Sequence, residues 1–413
     1  MKIKFKIFLL FWLILTFSLR VFSAENTLTD YNYLKFLGDT IEKIKSDYVE
    51  DVQNKELVES AIEGMLSSLD PHSSFLDTDS LKTMKIQTKG EFGGLGIEVT
   101  MENGFVKVIS PIDDTPAYKA GVKAGDYITH LNGKSVVGLN LNEAVNKMRG
   151  PVGSKLKITI GRSNEEPFDL TIKRDVIKIS SVNSRLEKDV GYIRITSFTE
   201  QTSKSTKEAI KKLKKGKNLK GYVLDLRNNP GGLLEQAVSI SDIFLEKGEI
   251  VSTRGKNSQN SEMYKARPGD MIDGLPLVVI INSGSASASE IVAGALQDHK
   301  RAILLGTKSF GKGSVQTIIP VKPYGALRMT TAKYFTPSGR SIQKTGIEPD
   351  IVVEERELKK ADNKKISREE DLKGALNNPS KVNEEEDQNK EIDDFQLSRA
   401  LDLIRGISLY KKL

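Results

Sequence analysis

The sequence predicts a multidomain protein of mixed α/β and α+β class, and three observations support this prediction. The chain has 413 residues, which is more than one hydrophobic core usually covers. Apolar residues make up 38% and charged residues 28%, a composition typical of a folded globular protein. After residue 176, short β-branched runs such as GYVLDL (221–226) and LVVIIN (277–282) alternate with helical patterns, which favours α/β architecture.

The amino terminus, residues 1–23, has the pattern of an export signal. Lys2, Lys4 and Lys6 precede an apolar run at 7–19, and small residues surround a cleavage site after Ser23. An uncleaved anchor is the alternative, but the run is shorter than the roughly 20 apolar residues that a spanning helix needs. The pattern therefore predicts an exported protein, located in the periplasm or at the outer face of the inner membrane.

The net charge does not indicate a nucleic-acid partner. The chain has 62 Lys and Arg against 55 Asp and Glu, a net charge of +7. Removal of residues 1–23 would take away four basic residues, which leaves 58 against 55, or about +3. Cysteine is absent, and the three histidines show no metal-ligand spacing, so we expect neither a disulfide, a thiol nucleophile, a metal site nor a cofactor.

Changes of pattern along the chain predict five regions after the signal. Apolar residues recur at helical spacing in 24–89, and short strands broken by glycine turns follow in 90–175. The alternating strands and helices fill 176–353. Residues 354–394 are rich in charge and poor in apolar residues, which indicates a solvated, mobile segment, and a last amphipathic helix is expected in 395–413.

The second region resembles a bacterial PDZ domain in its stretches EFGGLGIEV (91–99) and PAYKAGVKAGDYITHLNG (116–133). A Gly-Leu-Gly turn exposes backbone N–H groups that can bind a terminal carboxylate, and the following strand edge can pair with an extended peptide. Three apolar residues on one face of the next helix could form a pocket for the terminal side chain, or could simply be core residues. The predicted peptide site consists of Gly94, Leu95, Gly96, Leu141, Val145 and Met148.

Three short stretches have residue types suited to catalysis, although caps and turns would explain each one alone. NSGSASASEI (282–291) lies between a strand and a helix, so its serines are near a helix amino terminus, where free N–H groups favour an anion. DLRNNPGG (225–232) has glycines that leave N–H groups accessible, as an oxyanion site requires. SFGKGSVQ (309–316) places a lysine between two glycines. A phosphate-binding loop at 306–312 is excluded because Gly313 replaces the required Ser or Thr and a strand follows.

Together these stretches resemble the carboxyl-terminal processing peptidases, also called tail-specific proteases, over nearly the whole exported chain. The resemblance implies a Ser/Lys peptidase with a crotonase-like (ClpP/crotonase-type) core, an inserted PDZ domain and flanking helices. It also implies that Ser287 is the nucleophile, that Lys312 is the general base, and that Gln316 orients the lysine.

The proposed chemistry requires a neutral lysine and a site for the oxyanion. A free lysine titrates near pH 10.4, so Lys312 must have its pKa lowered to about 7–8 to act as a base. We expect burial against apolar neighbours such as Phe310 to lower it by desolvation. The backbone N–H groups of Ala288 and of either Gly231 or Gly232 are the expected oxyanion donors.

The favoured prediction is an exported serine endopeptidase that binds a substrate's carboxyl terminus on the PDZ domain and then cleaves near that end. The alternatives are a non-catalytic PDZ-based binding or chaperone protein, and a crotonase-type enzyme acting on acyl-CoA. Expected partners are proteins or peptides with apolar carboxyl termini, without nucleic acid, and with membrane contact only through an uncleaved signal. The terminal helices could join subunits of a homo-oligomer or pack on their own core.

Overall fold

The computed structural model describes residues 29–216, 218–256, 261–356 and 394–410. The predicted signal at 1–23 lies outside the described residues, as does most of the charged segment, from 357 to 393. Two compact units are present, one of Met1–Leu76 with Ile318–Met329, and one of Asp77–Thr317 with Thr330–Leu413. Within the described ranges, no helix is long and apolar enough to cross a membrane.

The smaller unit contains two helices, α1 (Thr29–Asp47) and α2 (Asn54–Ser67), followed by strand β1 (Ser74–Asp77). The turn before β1 is closed by Asp70, whose carboxylate accepts hydrogen bonds from the backbone N–H groups of His72 and Ser73 at 2.8 and 3.0 Å. Helix α1 leaves several large apolar side chains in solvent. Those with about 70% exposure are Tyr31, Tyr33, Leu34 and Phe36.

The larger unit begins with helix α3 (Thr78–Lys89) and an antiparallel domain that matches the predicted PDZ region. Asp77 caps α3 by accepting from Ser80 N–H at 2.7 Å. The domain's elements are β2 (Glu91–Gly94), β3 (Ile97–Glu102), β4 (Phe105–Pro111), α4 (Pro116–Lys119), β5 (Tyr127–Leu131), β6 (Lys134–Ser135), α5 (Leu141–Met148), β7 (Lys155–Gly161), β8 (Phe168–Lys173) and β9 (Asp175–Lys178). Its main sheet has the order β3-β4-β5-β7-β8, with β6 paired to β5, whereas β2 pairs with β9.

The rest of the larger unit is an α/β domain, and two of its strands continue into residues 318–329 of the smaller unit. Its strands are β10 (Val182–Glu187), β11 (Val190–Ile195), β12 (Gly221–Asp225), β13 (Glu249–Gly255), β14 (Glu262–Lys265), β15 (Leu277–Ile281), β16 (Ile303–Gly306), β17 (Ser314–Val321), β18 (Gly325–Phe335) and β19 (Ile351–Val352). Its helices are α6 (Thr202–Lys214), α7 (Leu234–Phe244), α8 (Ala288–Asp298) and α9 (Phe395–Tyr410). The main sheet has the order β10-β11-β12-β15-β16-β19.

This main sheet is covered on both faces, which explains its continuous apolar strands. From β11 to β19 every neighbouring pair is parallel, and every residue of β12 and β15 is buried. One face packs against α7 and α8 through residues such as Leu224 and Val279. The other face packs against α9, whose Leu397, Leu401 and Ile404 are buried.

The parallel arrangement places the three candidate stretches at one edge of the sheet. Stretch 225–232 follows β12, stretch 282–291 follows β15, and stretch 309–316 comes after β16. Because these strands are parallel neighbours, their carboxyl ends lie side by side, where α/β proteins form their binding sites.

Candidate active site

Ser287 lies where β15 turns into α8, as the sequence predicts. It is the N-cap residue of α8, and its backbone has φ 56° and ψ −111°, a conformation that a residue with a side chain rarely adopts. Sharp strand-to-helix turns of this kind present the side chain at the sheet edge. Ser287 is 8% exposed, so a small part of its surface is accessible to solvent.

Two neighbouring serines hold the loop in place. The hydroxyl of Ser285 donates to the Leu226 carbonyl at 2.8 Å and accepts from Asn282 N–H at 3.0 Å. The hydroxyl of Ser289 donates to the Asn229 carbonyl at 2.9 Å. Both side chains are fully buried, so their hydroxyls join the loop after β15 to the loop after β12.

The carboxylate of Glu290 joins the Ser287 loop to the Lys312 loop. One of its oxygens accepts the backbone N–H groups of Ser287 and Lys312 at 2.8 and 2.9 Å. The other oxygen accepts the Ser309 hydroxyl at 2.5 Å and Gly311 N–H at 2.7 Å. Glu290 has no exposed surface, and these donors replace the water that an ionised carboxylate would lose on burial.

Sequence reasoning missed Glu290 because the helical run after Ser287 suggested only a structural role. One signal was present, since a Glu three residues after a Ser N-cap is the spacing of a capping box. The contacts with Ser309, Gly311 and Lys312 depend on the folded arrangement of two loops, so no local pattern could indicate them.

The loop that contains Lys312 requires both of its glycines. Gly311 has φ +92°, and a Cβ on Gly313 would lie 2.4 Å from the Gln343 backbone nitrogen. Strand β17 begins directly afterwards at Ser314, which confirms that 306–313 is not a phosphate-binding loop before a helix. Gln316 donates to the hydroxyls of Ser314 and Thr330 at 2.9 and 3.3 Å, so its amide is held from two sides.

The side chain of Phe310 lies mostly in solvent. Its side chain is 64% exposed, and its backbone N–H donates to the Ser285 carbonyl at 3.0 Å. The residues on either side, Ser309 and Gly311, are held inward by Glu290, and the side chain between them is left in solvent. That Phe310 lowers the pKa of Lys312 by desolvation stays a prediction, and an unchanged pH–rate profile in Phe310→Ala would contradict it.

A tyrosine that sequence reasoning did not identify, Tyr334, binds the loop that contains Lys312 through its backbone. The side chain of Tyr334 is 5% exposed, and Tyr334 N–H donates to the Gly313 carbonyl at 2.7 Å. Burial, together with the nearby charge of Glu235, raises the pKa of the Tyr334 phenol to about 12. No local signal marks this residue, because it lies 47 positions after Ser287 in an ordinary strand pattern.

Of the two candidate glycines, Gly231 lies against the serine. A Cβ on Gly231 would lie 2.9 Å from Ser287 Cβ and 3.0 Å from the Ala288 nitrogen. A Cβ on Gly232 would instead lie 2.2 Å from the Phe198 carbonyl oxygen. Gly231 N–H donates to Asn229 Oδ1 at 2.9 Å, so the turn is held by its own loop.

The loop after β12 is also anchored by a buried arginine. Arg227 donates to both oxygens of Asp225, at 3.0 and 2.6 Å, and to Asp394 and Gln396 at 2.9 and 3.0 Å. Burial alone would lower the pKa of Arg227, but the hydrogen bonds to the two carboxylates raise it above its usual value. A charged Arg227 thus connects the start of α9 to the loop that contains Gly231.

The predicted peptide site divides into core and surface residues. Leu95 and Met148 are only 2% and 5% exposed and belong to the core of the PDZ-like domain. Leu141 and Val145 are partly exposed on α5. The turn before β3 requires glycine at 96, where φ is +79° and a Cβ would lie 2.3 Å from Thr115 Cβ. Gly94, the last residue of β2, is buried beside this turn.

Sequence models of known families match most of the chain. The model of peptidase family S41 matches residues 189–353, and a PDZ-domain model matches residues 107–162. The model of the N-terminal domain of the activating protease CtpB matches residues 21–80.

The chain is also similar to individual proteins. A carboxy-terminal-processing protease of Bartonella bacilliformis is 51% identical over 398 residues, which cover 93% of this chain and 91% of that protein. The carboxy-terminal processing protease CtpA of Bacillus subtilis is 41% identical, over 77% of this chain and 68% of its own. Among solved structures, a photosystem II D1 C-terminal processing protease aligns with a TM-score of 0.46 at 29% identity, over 76% of this chain and 86% of that one.

Proposed function

This chain belongs to the carboxy-terminal processing proteases of peptidase family S41 and is a serine-type peptidase, and from that premise we propose that it cleaves its protein substrates with a Ser287/Lys312 dyad. One observation above all supports the assignment. The backbone N–H groups of Ser287 and Lys312 bind the same oxygen of Glu290, at 2.8 and 2.9 Å. Family membership sets aside the alternatives of a non-catalytic binding protein and an acyl-CoA enzyme.

In the proposed mechanism, the neutral amine of Lys312 takes the proton of the Ser287 hydroxyl as Oγ attacks the scissile carbonyl carbon. The negative charge moves to the carbonyl oxygen, which accepts N–H groups of Ala288 and of the Gly231–Gly232 turn. Protonated Lys312 then gives its proton to the leaving amine, and water hydrolyses the acyl-enzyme by the reverse path. Gln316, held by Ser314 and Thr330, orients Lys312.

We further propose that the PDZ domain captures the substrate tail. The bond-cleaving residues lie on the α/β domain, whereas the predicted tail site, with Leu141 and Val145 as its exposed part, lies on α5. A captured tail stays at high effective concentration near the active site, without strong sequence preference at the cut. Substrates with apolar carboxyl termini are expected to be preferred.

The proposed organisation keeps the regions expected from sequence. A PDZ domain at 90–175 is inserted before a peptidase core at 176–353, which we propose is crotonase-like. The separate sheets β3-β4-β5-β7-β8 and β10-β11-β12-β15-β16-β19 support this division. Comparison of this core with a crotonase of known structure, strand by strand, would test it, and a different strand order would refute it.

Location and assembly form two further parts of the proposal. Residues 1–23 direct export to the periplasm or the outer face of the inner membrane, and amino-terminal sequencing of the mature protein would show whether cleavage follows Ser23.

A homo-oligomer is proposed because α1 exposes Tyr31, Leu34 and Phe36. Sedimentation of the parent and of Leu34→Glu tests this, and a parent that sediments as a monomer contradicts it.

The catalytic assignment is tested by digestion of an unfolded reporter protein with an apolar carboxyl-terminal tail, with fragments followed by mass spectrometry. The parent, Ser287→Ala and Lys312→Ala are compared, with Ser283→Ala as a control because Ser283 is exposed in the same loop. We expect cleavage by the parent and the control, and none by the other two. Cleavage by all four would refute the dyad.

A further inference from the structure

An asparagine at the end of β15 joins neighbouring loops through its side-chain amide. Asn282 follows β15 directly and is 5% exposed. Its Oδ1 accepts the backbone N–H groups of Asn228 and Gly284, at 2.9 and 3.1 Å. Its Nδ2 donates to Asn228 Oδ1 and to Glu355 Oε1, at 2.9 Å in each case. A carboxamide has two N–H donors and two lone pairs, so this one is fully used and fits in only one orientation.

The contacts of Asn282 connect three segments that leave the same edge of the main sheet. Asn228 follows β12, the parallel neighbour of β15, and lies 54 positions before Asn282 in the chain. Glu355 follows β19 and lies 73 positions after Asn282. The side chain of Asn282 therefore binds both the loop that contains Gly231 and the segment after β19.

The hydrogen bonds with Asn282 hold Asn228 in an unusual backbone conformation. Asn228 has φ 53°, in the left-handed region that few residues other than glycine adopt. Two hydrogen bonds with the Asn282 amide, one through the backbone and one through the side chain, fix Asn228 in this region. Gly231 comes three residues later, so the conformation of Asn228 sets the direction in which the chain enters the glycine turn.

The same amide lies against the loop that leads to Ser287. Gly284, which donates to it, is three residues before Ser287. A Cβ on Gly284 would lie 2.8 Å from Asn228 Oδ1 and 3.3 Å from Asn282 Oδ1, so the two loops are in close contact. A displacement of the Asn282 amide would therefore move the Ser287 loop and the Gly231 turn relative to each other.

We propose that Asn282 is a positioning residue, whose amide sets the spacing between the Ser287 nucleophile and the glycine turn that receives the oxyanion. The inference rests on the proposed Ser287/Lys312 chemistry. Asn282 acts through Asn228 and Gly284 and not by contact with the substrate. The effect on the rate is large because a displacement of about 1 Å in a reacting group can slow an enzyme by a factor of about 10².

The polarity of the contact with Glu355 provides a specific test. Asn282→Asp keeps the shape of the side chain but replaces Nδ2 with an oxygen, which would face the Glu355 carboxylate and the Asn228 side-chain oxygen. At neutral pH two adjacent carboxylates repel each other, so the side chain at 282 would be displaced. The double variant Asn282→Asp/Glu355→Gln restores a donor and an acceptor with reversed polarity, and it restores the net charge. Asn228 can then turn its own amide over to donate to the new carboxylate.

The probe is a p-nitrophenyl ester of an acetylated dipeptide, because the nitrophenolate burst reports acylation and the steady rate reports deacylation. Mass spectrometry of the trapped acyl-enzyme locates the acyl group in the parent. The parent is compared with Asn282→Asp, Glu355→Gln and the double variant, and the melting temperature of each is measured. The control is Glu354→Gln, because Glu354 is an exposed residue of the same segment.

For Asn282→Asp we expect the burst rate and kcat to fall roughly 30- to 100-fold, with KM within about twofold of the parent. Glu355→Gln should lose no more than about threefold, because its amide oxygen can still accept from Asn282 Nδ2. The double variant should recover to within about fivefold of the parent. Glu354→Gln should keep parental rates.

Two results would overturn the inference. One is an Asn282→Asp enzyme with a lower melting temperature but a parental burst rate and kcat, since Asn282 would then contribute only to stability. The other is a double variant that is as slow as Asn282→Asp. In both cases, acylation of the parent on Ser287 would leave the proposed function intact. If the parent itself is not acylated on Ser287, the proposed function fails and the inference fails with it.

A second position decides the question if Asn282→Asp does not fold at the assay temperature. Asn228→Gly introduces a residue that adopts φ 53° without strain, and it removes the side-chain oxygen that binds Asn282. We expect its burst rate to fall roughly 5- to 20-fold while its melting temperature stays close to the parent's. A parental burst rate in Asn228→Gly would overturn the inference.

Discussion

The Glu290 carboxylate is the residue that connects both partners of the proposed dyad. A buried ionised carboxylate is costly unless several donors bind it, and this one accepts from Ser287, Ser309, Gly311 and Lys312. The same contacts fix the spacing of two loops that are more than 20 positions apart in the chain. Glu290 is therefore a positioning residue, which acts through the backbone of Ser287 and Lys312.

We predict that Glu290→Gln lowers kcat by about 100-fold and leaves KM nearly unchanged, because the misplaced dyad still binds substrate. The Gln side chain would direct an N–H group at backbone donors, which should cost about 2–4 kcal/mol of stability. Thermal unfolding and steady-state kinetics measure both effects. Glu348→Gln is the control, since Glu348 forms an exposed ion pair with Lys308. A variant with parental kcat would show that Glu290 does not position the dyad.

Gly231 is a second residue at the candidate site, and its backbone conformation and close contacts explain why the residue is glycine. Its φ is +101°, and a Cβ there would lie 2.8 Å from the Ala286 carbonyl oxygen. We predict that Gly231→Ala displaces Ser287 and lowers kcat by about 100-fold. Gly216→Ala, at φ +67° with open space around it, should cost only about 1 kcal/mol and keep its activity. Equal kcat values for the two variants would contradict close packing at Gly231.

At the scale of elements, helix α9 both covers the main sheet and is joined to the loop that contains Gly231. Leu397, Leu401 and Ile404 pack on one face of the sheet. At the helix start, Asp394 binds Arg227, only a few residues from Gly231. Burial would raise the pKa of Asp394, but its hydrogen bond to Arg227 lowers it below the ordinary 3.8.

This contact predicts a pH dependence of stability. A carboxyl whose pKa is lower in the folded state binds fewer protons there, so it stabilises the fold above about pH 4. That contribution is lost as pH falls through the folded-state pKa. We predict that Asp394→Asn loses about 1–3 kcal/mol at pH 7, and that its melting temperature approaches the parent's toward pH 3.

Calorimetry between pH 7 and pH 3 measures this difference. Asp402→Asn is the matched control on the same helix, because Asp402 and its partner Arg399 are each about half exposed. Its melting temperature should stay close to the parent's at every pH. If the difference in melting temperature between Asp394→Asn and the parent stays constant from pH 7 to pH 3, the charge of Asp394 is not the cause of the lost stability.

At the scale of the whole molecule, the proposed function separates binding from cleavage. The prediction concerns Leu141, which is partly exposed on α5, with exposed Val137 as the control. Leu141→Glu should raise KM for a substrate with an apolar tail about tenfold or more, because an apolar side chain loses its contact. Turnover of a small ester should not change.

The same kinetic comparison is made for Val137→Glu, which should behave as the parent does with both substrates. If Leu141→Glu also lowers the turnover rate of the small ester, then α5 affects catalysis and not only the capture of the tail. If neither substrate is affected, Leu141 does not contact the tail, and the proposed site on α5 is wrong.

The sequence by itself determined the class of this protein, its family and the stretches proposed to contain its chemistry. These features depend on local signals: the period of apolar residues, glycine turns, and the spacing of Ser287, Lys312 and Gln316 within short motifs. The turn from strand to helix at Ser287 was predictable for the same reason. Local structure can be predicted from the sequence because residues that are neighbours in the chain are also neighbours in the fold.

Only the tertiary structure decided which side chains meet. The contacts of Glu290 with 309–312, of Tyr334 N–H with the Gly313 carbonyl, and of Arg227 with Asp394 join residues far apart in the chain. Burial likewise depends on packing, and the sequence does not show that the Phe310 side chain is 64% exposed. Parallel strands bring distant loops to one sheet edge, and the partners found there depend on the arrangement of the whole fold.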